Sequence, residues 1–183
     1  MKLRKIKIED LSLIMEWRMS PEVTKYMYTD PQLSIESQKM WYEKIMNNNK
    51  REKYWIIQLN GNKDVGLLSI TNIDLVNKKA SWAYYLGSME ARGKGLARVL
   101  ECNINDYIFE VLNLNKLCCE VFEFNETVVK IHEKFGAKIE GKLVDHICKN
   151  GKYYNVICMA NFKENWKKFK NKLEYQKITI ESY

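Results

Sequence analysis

From its first residues the chain interleaves apolar Leu3, Ile6 and Ile8 with basic side chains, which reads as a strand. Glu9 and Asp10 then open a helix through Trp17, with acids placed where a helix N-terminus favours them. Pro21 suits the first turn of a short second helix. Ser34 is a good N-cap for a third, in which Ile35, Gln38, Trp41, Tyr42 and Ile45 recur at helical spacing. Tyr54 to Leu59 and Val65 to Ile73 read as strands joined at Asn60-Gly61-Asn62, and a turn near Asn77-Lys78 leads to a third strand, Ala80 to Leu86. The most regular helix follows, with Leu96, Leu100, Ile104, Tyr107/Ile108 and Val111 on one stripe. A buried strand, Leu117 to Phe122, precedes a helix from Glu126 to Phe135 that Gly136 terminates. Two strands then flank the hairpin turn Asn150-Gly151.

This order of elements predicts an α+β (mixed α/β) fold: a mostly antiparallel sheet covered by helices, not a doubly wound parallel sheet. The 183 residues suit a single domain, 1–183, with a core over 1–162 and a basic helical tail over 163–183. Lys163, Lys167, Lys168, Lys170 and Lys172 in that tail read as a solvated helix face.

Composition narrows the class. With 46% apolar and 29% charged residues the chain is globular, and no apolar run approaches membrane-spanning length. The N-terminus lacks the continuous apolar stretch of a signal peptide, so a cytoplasmic protein is expected, with no membrane partner. Five cysteines without a Cys-x-x-Cys, and only two histidines, argue against a metal site and for reduced thiols. The net charge of +7 favours anionic ligands, and the absence of a nucleic-acid-binding signature removes nucleic acid from among them.

The segment Leu86-Gly-Ser-Met-Glu-Ala-Arg92-Gly93-Lys94-Gly95-Leu96-Ala97 lies between a strand and the most regular helix. Two glycines let backbone approach a ligand, the helix start presents unpaired N–H groups and a positive dipole end, and Arg92 and Lys94 add charge. Together they form a pyrophosphate-binding end. It is neither a Walker A loop nor a dinucleotide fingerprint, because no Gly-Lys-Ser/Thr and no third glycine in step occur.

Arg92, Gly95 and Ala97 match in register the Arg/Gln-x-x-Gly-x-Gly/Ala loop of the GNAT acetyltransferases. Asn125, followed by Glu-Thr-Val-Val-Lys-Ile-His132-Glu-Lys-Phe-Gly136-Ala, matches a second motif of that superfamily at the right separation. Over residues 2 to 162 the chain therefore resembles the GNAT superfamily. The resemblance implies a seven-stranded GNAT sheet splayed between strands 4 and 5, acetyl-CoA as cosubstrate, and an amine as acceptor. It implies a CoA site made by Tyr84, Tyr85, Leu86, Arg92, Gly93, Lys94, Gly95, Leu96, Ala97 and Asn125. Tyr84 and Tyr85 also read as ordinary strand and core aromatics.

Acetyl transfer needs a neutral amine, a donor to the tetrahedral oxyanion, and a proton for the departing thiolate. His132 stands where the superfamily often carries its tyrosine acid. It can protonate the thiolate, hydrogen-bond the sulfur, or serve as a partly buried structural histidine. Glu120, inside the apolar strand Leu117 to Phe122, is the candidate base if it is buried, since burial would raise its pKa; a solvated or lysine-paired Glu120 is the competing reading. Glu123 is a weaker candidate.

The acceptor is less constrained. The segment His132 to Gly136 with Glu140 to Val156 resembles a narrower branch, the N-acetyltransferases of pseudaminic acid biosynthesis. That branch acetylates the 4-amino group of a UDP-4-amino-4,6-dideoxy-N-acetyl-altrosamine. The resemblance places Trp17, Arg18 and Tyr28 in the acceptor pocket, and an arginine with aromatics suits diphosphate and uracil. Trp17 as a core residue and Arg18 as a surface cation is the alternative. An anionic nucleotide sugar fits a basic enzyme, and the basic balance argues against a polycation such as spermidine. A peptide N-terminus or a polyamine remains open within the fold, as does a non-catalytic CoA-binding regulator. Oligomeric state is not set by the sequence; a homodimer with the basic tail against a neighbour is one arrangement.

Overall fold

Periodicity and turn chemistry place most elements of the chain, whose computed structural model describes residues 1–47 and 50–183. Strand β1 (Lys2–Lys5) is followed by helices α1 (Leu11–Met19), α2 (Pro21–Thr24) and α3 (Ile35–Asn47). Strands β2 (Lys53–Leu59), β3 (Lys63–Asp74) and β4 (Lys79–Leu86) lead to α4 (Leu96–Asp106), β5 (Lys116–Phe122) and α5 (Glu126–Lys134). The chain ends with β6 (Lys138–Lys149), β7 (Lys152–Phe162), α6 (Lys163–Phe169) and β8 (Thr179–Ile180).

The strands form one open mixed sheet in the order β6-β7-β5-β4-β3-β2-β1-β8. Pairing is antiparallel for β1–β2, β2–β3, β5–β7 and β6–β7, and parallel for β4–β5 and β1–β8. The β4–β5 ladder is short. Its rungs are Lys79↔Lys116, Ala80↔Leu117 and Ser81↔Cys118, although β4 runs on to Leu86 and β5 to Phe122. This early end of the ladder is the splay expected between strands 4 and 5.

The chain divides into two compact units. The first comprises Met1–Ile73, Ala83–Lys94 and Ile178–Tyr183. Ile14 and Trp17 on α1 and Ile45 on α3 pack with Ile6, Ile56 and Leu67 into its apolar cluster. Ser34 caps α3, its hydroxyl accepting from the Ser37 N–H at 3.2 Å. Arg4 is buried between two carboxylates, donating to both Asp10 oxygens at 2.7 Å and to Asp64 at 2.5 Å.

The second unit comprises Asp74–Trp82 and Gly95–Lys177. Leu100, Ile104 and Ile108 on the helix, Leu117, Cys119 and Val121 on β5, and Met159 on β7 are buried in it. The helix does not keep one pitch. Over Tyr107–Val111 it widens to a π-helix, with Leu112 N–H bonded to Tyr107 O at 2.9 Å. The extra residue per turn buries Tyr107, Ile108 and Phe109 in succession and swings Val111, expected on the apolar stripe, into solvent.

Two expectations need correction. The sheet has eight strands rather than seven, and the tail is α-helical only over Lys163–Phe169. A 3-10 turn, Lys170–Lys172, follows, and the chain then extends and adds Thr179 and Ile180 to the edge of β1. Trp55 Nε1–H donates to Glu181 O at 2.8 Å and Lys5 N–H to the Glu181 carboxylate at 2.9 Å, which holds the added strand. The lysine cluster suggested a solvated helix, whereas Asp106 draws this tail back onto α4. Asp106 accepts from Trp166 Nε1–H at 2.9 Å, from the Tyr175 hydroxyl at 2.5 Å and from the Lys177 ammonium.

Candidate active site

The donor-binding loop has the local form its sequence demands. Gly95 is the N-cap of α4 in the left-handed region, φ 72°, and Gly93 has φ 75°. The first intrahelical bond runs from Arg98 N–H to Gly95 O at 3.2 Å, so the earlier N–H groups are left to a ligand or water. No atom lies within 4 Å of where a Cβ would stand on either glycine, and Lys94 is exposed beside them. An anionic pyrophosphate fits this open backbone, with Gly93, Gly95, Leu96 and Ala97 offering N–H groups. Arg92 is held within the loop by its own contacts. Its guanidinium donates to Leu86 O at 3.1 Å and Glu22 O at 3.0 Å, and lies 3.6 Å from the Glu22 carboxylate, so it braces the loop.

On β4, Tyr84 and Leu86 are half-buried, and Leu86 O is occupied by Arg92. Tyr85 meets Trp17 edge to face at 6.4 Å, and its hydroxyl is buried without a partner. Burial alone pushes that phenol well above its ordinary range, with a small opposing pull from Arg18. Asn125 is half-buried at the N-cap of α5, with no side-chain capping bond, so its amide is not spent on the helix.

His132 is 6% exposed, deeper than a partly buried histidine. It lies on α5, its ring edge-on to Trp82 at 5.5 Å. Nδ1 stands 2.7 Å from Oε1 of Glu101, a carboxylate on α4 that is 2% exposed. Neither atom has another hydrogen-bond partner. Two acceptors this close and out of water would repel, so a proton lies between them. Cys119 on β5 is the other polar neighbour that acts on the charge of the ring. Burial opposes charge on the imidazole, but Cys119 and Glu101 outweigh it and lift the pKa to about 10. Sequence reasoning missed Glu101 and Cys119. An acid between Leu100 and Ile104 on the apolar stripe was the available signal.

Glu120 is not buried. On β5 the buried residues Leu117, Cys119 and Val121 alternate with Cys118 and Glu120, so Glu120 is exposed on the face away from His132. The burial argument for its role as base therefore fails by one step of register. Glu123 is paired with Lys142 at 2.5 Å and Asn155 at 2.7 Å.

Of the residues expected at the acceptor, Trp17 is a core side chain, 6% exposed. A Cβ on Gly87 would fall 2.1 Å from its ring, which explains the glycine there. Arg18 donates to Thr29 Oγ1 at 3.3 Å and so stands next to half-buried Tyr28. Among the described residues no group of three His, Cys, Asp or Glu side chains is placed to hold a metal, and no helix is long and apolar enough to cross a membrane.

The open glycine loop at a helix start, the interrupted β4–β5 ladder and the motif ending in His132 define an acyl-CoA-using class, and the comparisons agree. Residues 1–138 match the acetyltransferase (GNAT) domain family, and the chain belongs to it as an acetyl-CoA-dependent N-acetyltransferase. It is 31% identical to a spermidine N(1)-acetyltransferase of Escherichia coli K12 over 165 residues, 90% of this chain and 87% of that one. It is 25% identical over 142 residues, 76% of this chain and 85% of the other, to an acetyltransferase PseH of Campylobacter jejuni. The crystal structure of a spermidine N-acetyltransferase from Vibrio cholerae, in complex with CoA and spermine, superposes with TM-score 0.85 at 26% identity, covering 91% of this chain and 97% of that one.

Proposed function

We propose that this enzyme transfers the acetyl group of acetyl-CoA to a primary amine of a small polyamine of the spermidine type. The similarity to spermidine acetyltransferases over nine-tenths of the chain carries this reading. Charge distribution supports it. Residues 8–43 hold seven acids and three bases, while the remainder holds 16 acids and 27 bases. The N-terminal stretch that contains Trp17, Arg18 and Tyr28 is thus acidic within a basic protein. The expectation of an anionic acceptor averaged over that difference, and a local field acts on a small ligand more than the net charge does.

The placement of Glu120 and His132 is compatible with the reaction. The amine attacks the thioester carbon from one side while the thiolate leaves on another. The exposed Glu120 carboxylate can take the amine's proton, and the departing thiolate needs its proton from a separate group. Acetyl-CoA supplies the acyl group. The loop at Gly93–Ala97 holds its pyrophosphate through backbone N–H groups, and half-buried Asn125 offers its amide to the pantetheine arm.

A second reading keeps the reaction and changes the acceptor to a UDP-4-amino-4,6-dideoxy sugar. The segments His132 to Gly136 and Glu140 to Val156 and the net charge of +7 favour it. Thiol release from acetyl-CoA, measured with spermidine, with the amino sugar and with an N-terminal peptide, decides. A kcat/KM for spermidine at least about tenfold above the other two, a difference of about 1.4 kcal/mol, supports the polyamine. The reverse order replaces it with the sugar or the peptide.

A further inference from the structure

Glu120 shares its face of the sheet with an aromatic cluster. In the β5–β7 ladder Glu120 pairs with Cys158 and Phe122 with Val156, so all four side chains lie on one face. Tyr154, two residues before Val156, continues that face, and its ring reaches Phe122 at 5.4 Å. Past the end of β5 the chain turns, and Phe124 folds back onto both rings. It stacks on Phe122 at 4.9 Å with an interplanar angle of 20° and meets Tyr154 edge-on at 5.5 Å. Phe122 is thereby 2% exposed, whereas Phe124 stays 50% exposed.

A cation already rests on this cluster. Lys152 Nζ lies 5.2 Å from the centroid of the Tyr154 ring. An alkylammonium is attracted to an aromatic face by the ring quadrupole, and Phe124 offers the same chemistry to a ligand. The spacing matters as well. At about 3.3 Å per strand residue, Phe122 stands about 6.6 Å along β5 from Glu120. Two amines joined by three or four methylenes fit that span.

We infer that Phe122, Phe124 and Tyr154 form the subsite for the acceptor's second amine, with its ammonium on the Phe124 ring while Glu120 takes the proton of the amine that attacks. This rests on the polyamine reading and on Glu120 as the group that receives that proton. The two ends of the acceptor need different treatment. The attacking amine must become neutral, which a carboxylate serves. The remote amine stays protonated, and a π face holds it without removing its proton. Phe124 is then a specificity-determining residue that favours a polyamine over an amine with no second cation.

The test uses the full chain with spermidine and acetyl-CoA. Phe124→Leu keeps an apolar side chain and removes the ring. It should raise KM for spermidine roughly 3- to 30-fold, with kcat and KM for acetyl-CoA unchanged. Phe124→Trp supplies the strongest cation-binding ring and should restore the wild-type KM or lower it. An unchanged spermidine KM in Phe124→Leu overturns the subsite. So does a loss confined to kcat, or a Phe124→Trp protein no better than Phe124→Leu. If the variants do not fold, NMR of the native chain with labelled phenylalanine, titrated with spermidine in the presence of CoA, reads the same contact. Shifted Phe124 ring signals support the subsite, and none at saturating spermidine sinks it. Wild-type turnover of spermidine with a Phe124→Leu KM that does not move removes the subsite alone. Wild-type turnover of the amino sugar or the peptide, and not of spermidine, removes the polyamine reading and the subsite with it.

Discussion

Replacing Asp106 by asparagine removes one charge where the C-terminal tail is held. Asp106 accepts from Trp166 Nε1–H, the Tyr175 hydroxyl and the Lys177 ammonium, and its side chain is 12% exposed. Its carboxyl is held below the usual range although burial, the largest single influence, pushes it up; the bonds from Lys177, Tyr175 and Trp166 outweigh burial. An asparagine offers one acceptor oxygen and turns an N–H pair toward donors. Each hydrogen bond to a charged group is worth about 1.5–3 kcal/mol, and the exposed Lys177 contact adds little. The expected loss is about 3 kcal/mol, or roughly 6–12 °C in Tm for a chain of this length. The sign with pH is fixed. A depressed folded pKa gives stability that is present above the unfolded value, near 3.9, and lost as pH falls through the folded one. Urea titrations at pH 7 and pH 3 should therefore show the wild-type advantage over Asp106→Asn shrinking toward acid. A cost under about 1 kcal/mol at pH 7, or one that does not shrink, refutes the view that this carboxylate holds the tail.

Other substitutions test other parts of the structure. Gly87→Ala drives a methyl into the Trp17 ring and should cost about 1–3 kcal/mol by thermal melting, despite adding a single carbon. Arg4→Met leaves buried Asp10 and half-buried Asp64 without their cation and should lower stability by about 3 kcal/mol in denaturant titration at neutral pH. Gly95→Val meets no atom but must hold φ near 72°. It should cost about 1–2 kcal/mol and raise KM for acetyl-CoA more than it lowers kcat, read from initial rates.

The elements that the sequence foretold are those with strong local chemistry. Ser34 caps α3, and Asn150 and Gly151 take positive φ in the β6–β7 turn. Gly136 takes the positive φ expected after α5. What the sequence hid depends on contacts far apart in the chain. Thr179 and Ile180 are too few for a periodicity to show, and their strand exists because β1 offers an edge. The π-turn at Tyr107–Val111 breaks a stripe that a constant pitch would have continued. At the site, His132 was legible through its motif, and its partners were not. Glu101 lies 31 residues away and meets the ring only because α4 and α5 are folded into one unit. Glu120 stayed open between a buried and a solvated carboxylate because one step along a strand reverses the face, and composition alone does not show which of Cys119 and Glu120 points inward; Glu120 is the exposed one.

The central claim is acetyl transfer from acetyl-CoA to an amine. The most direct measurement mixes the purified chain with acetyl-CoA and spermidine and follows free CoA and the mass of the amine together. The account predicts CoA released in step with monoacetylated spermidine, and none without enzyme. Acetyl-CoA bound with no CoA released, for spermidine, an amino sugar or a peptide, would contradict it and leave a CoA-binding protein without catalysis.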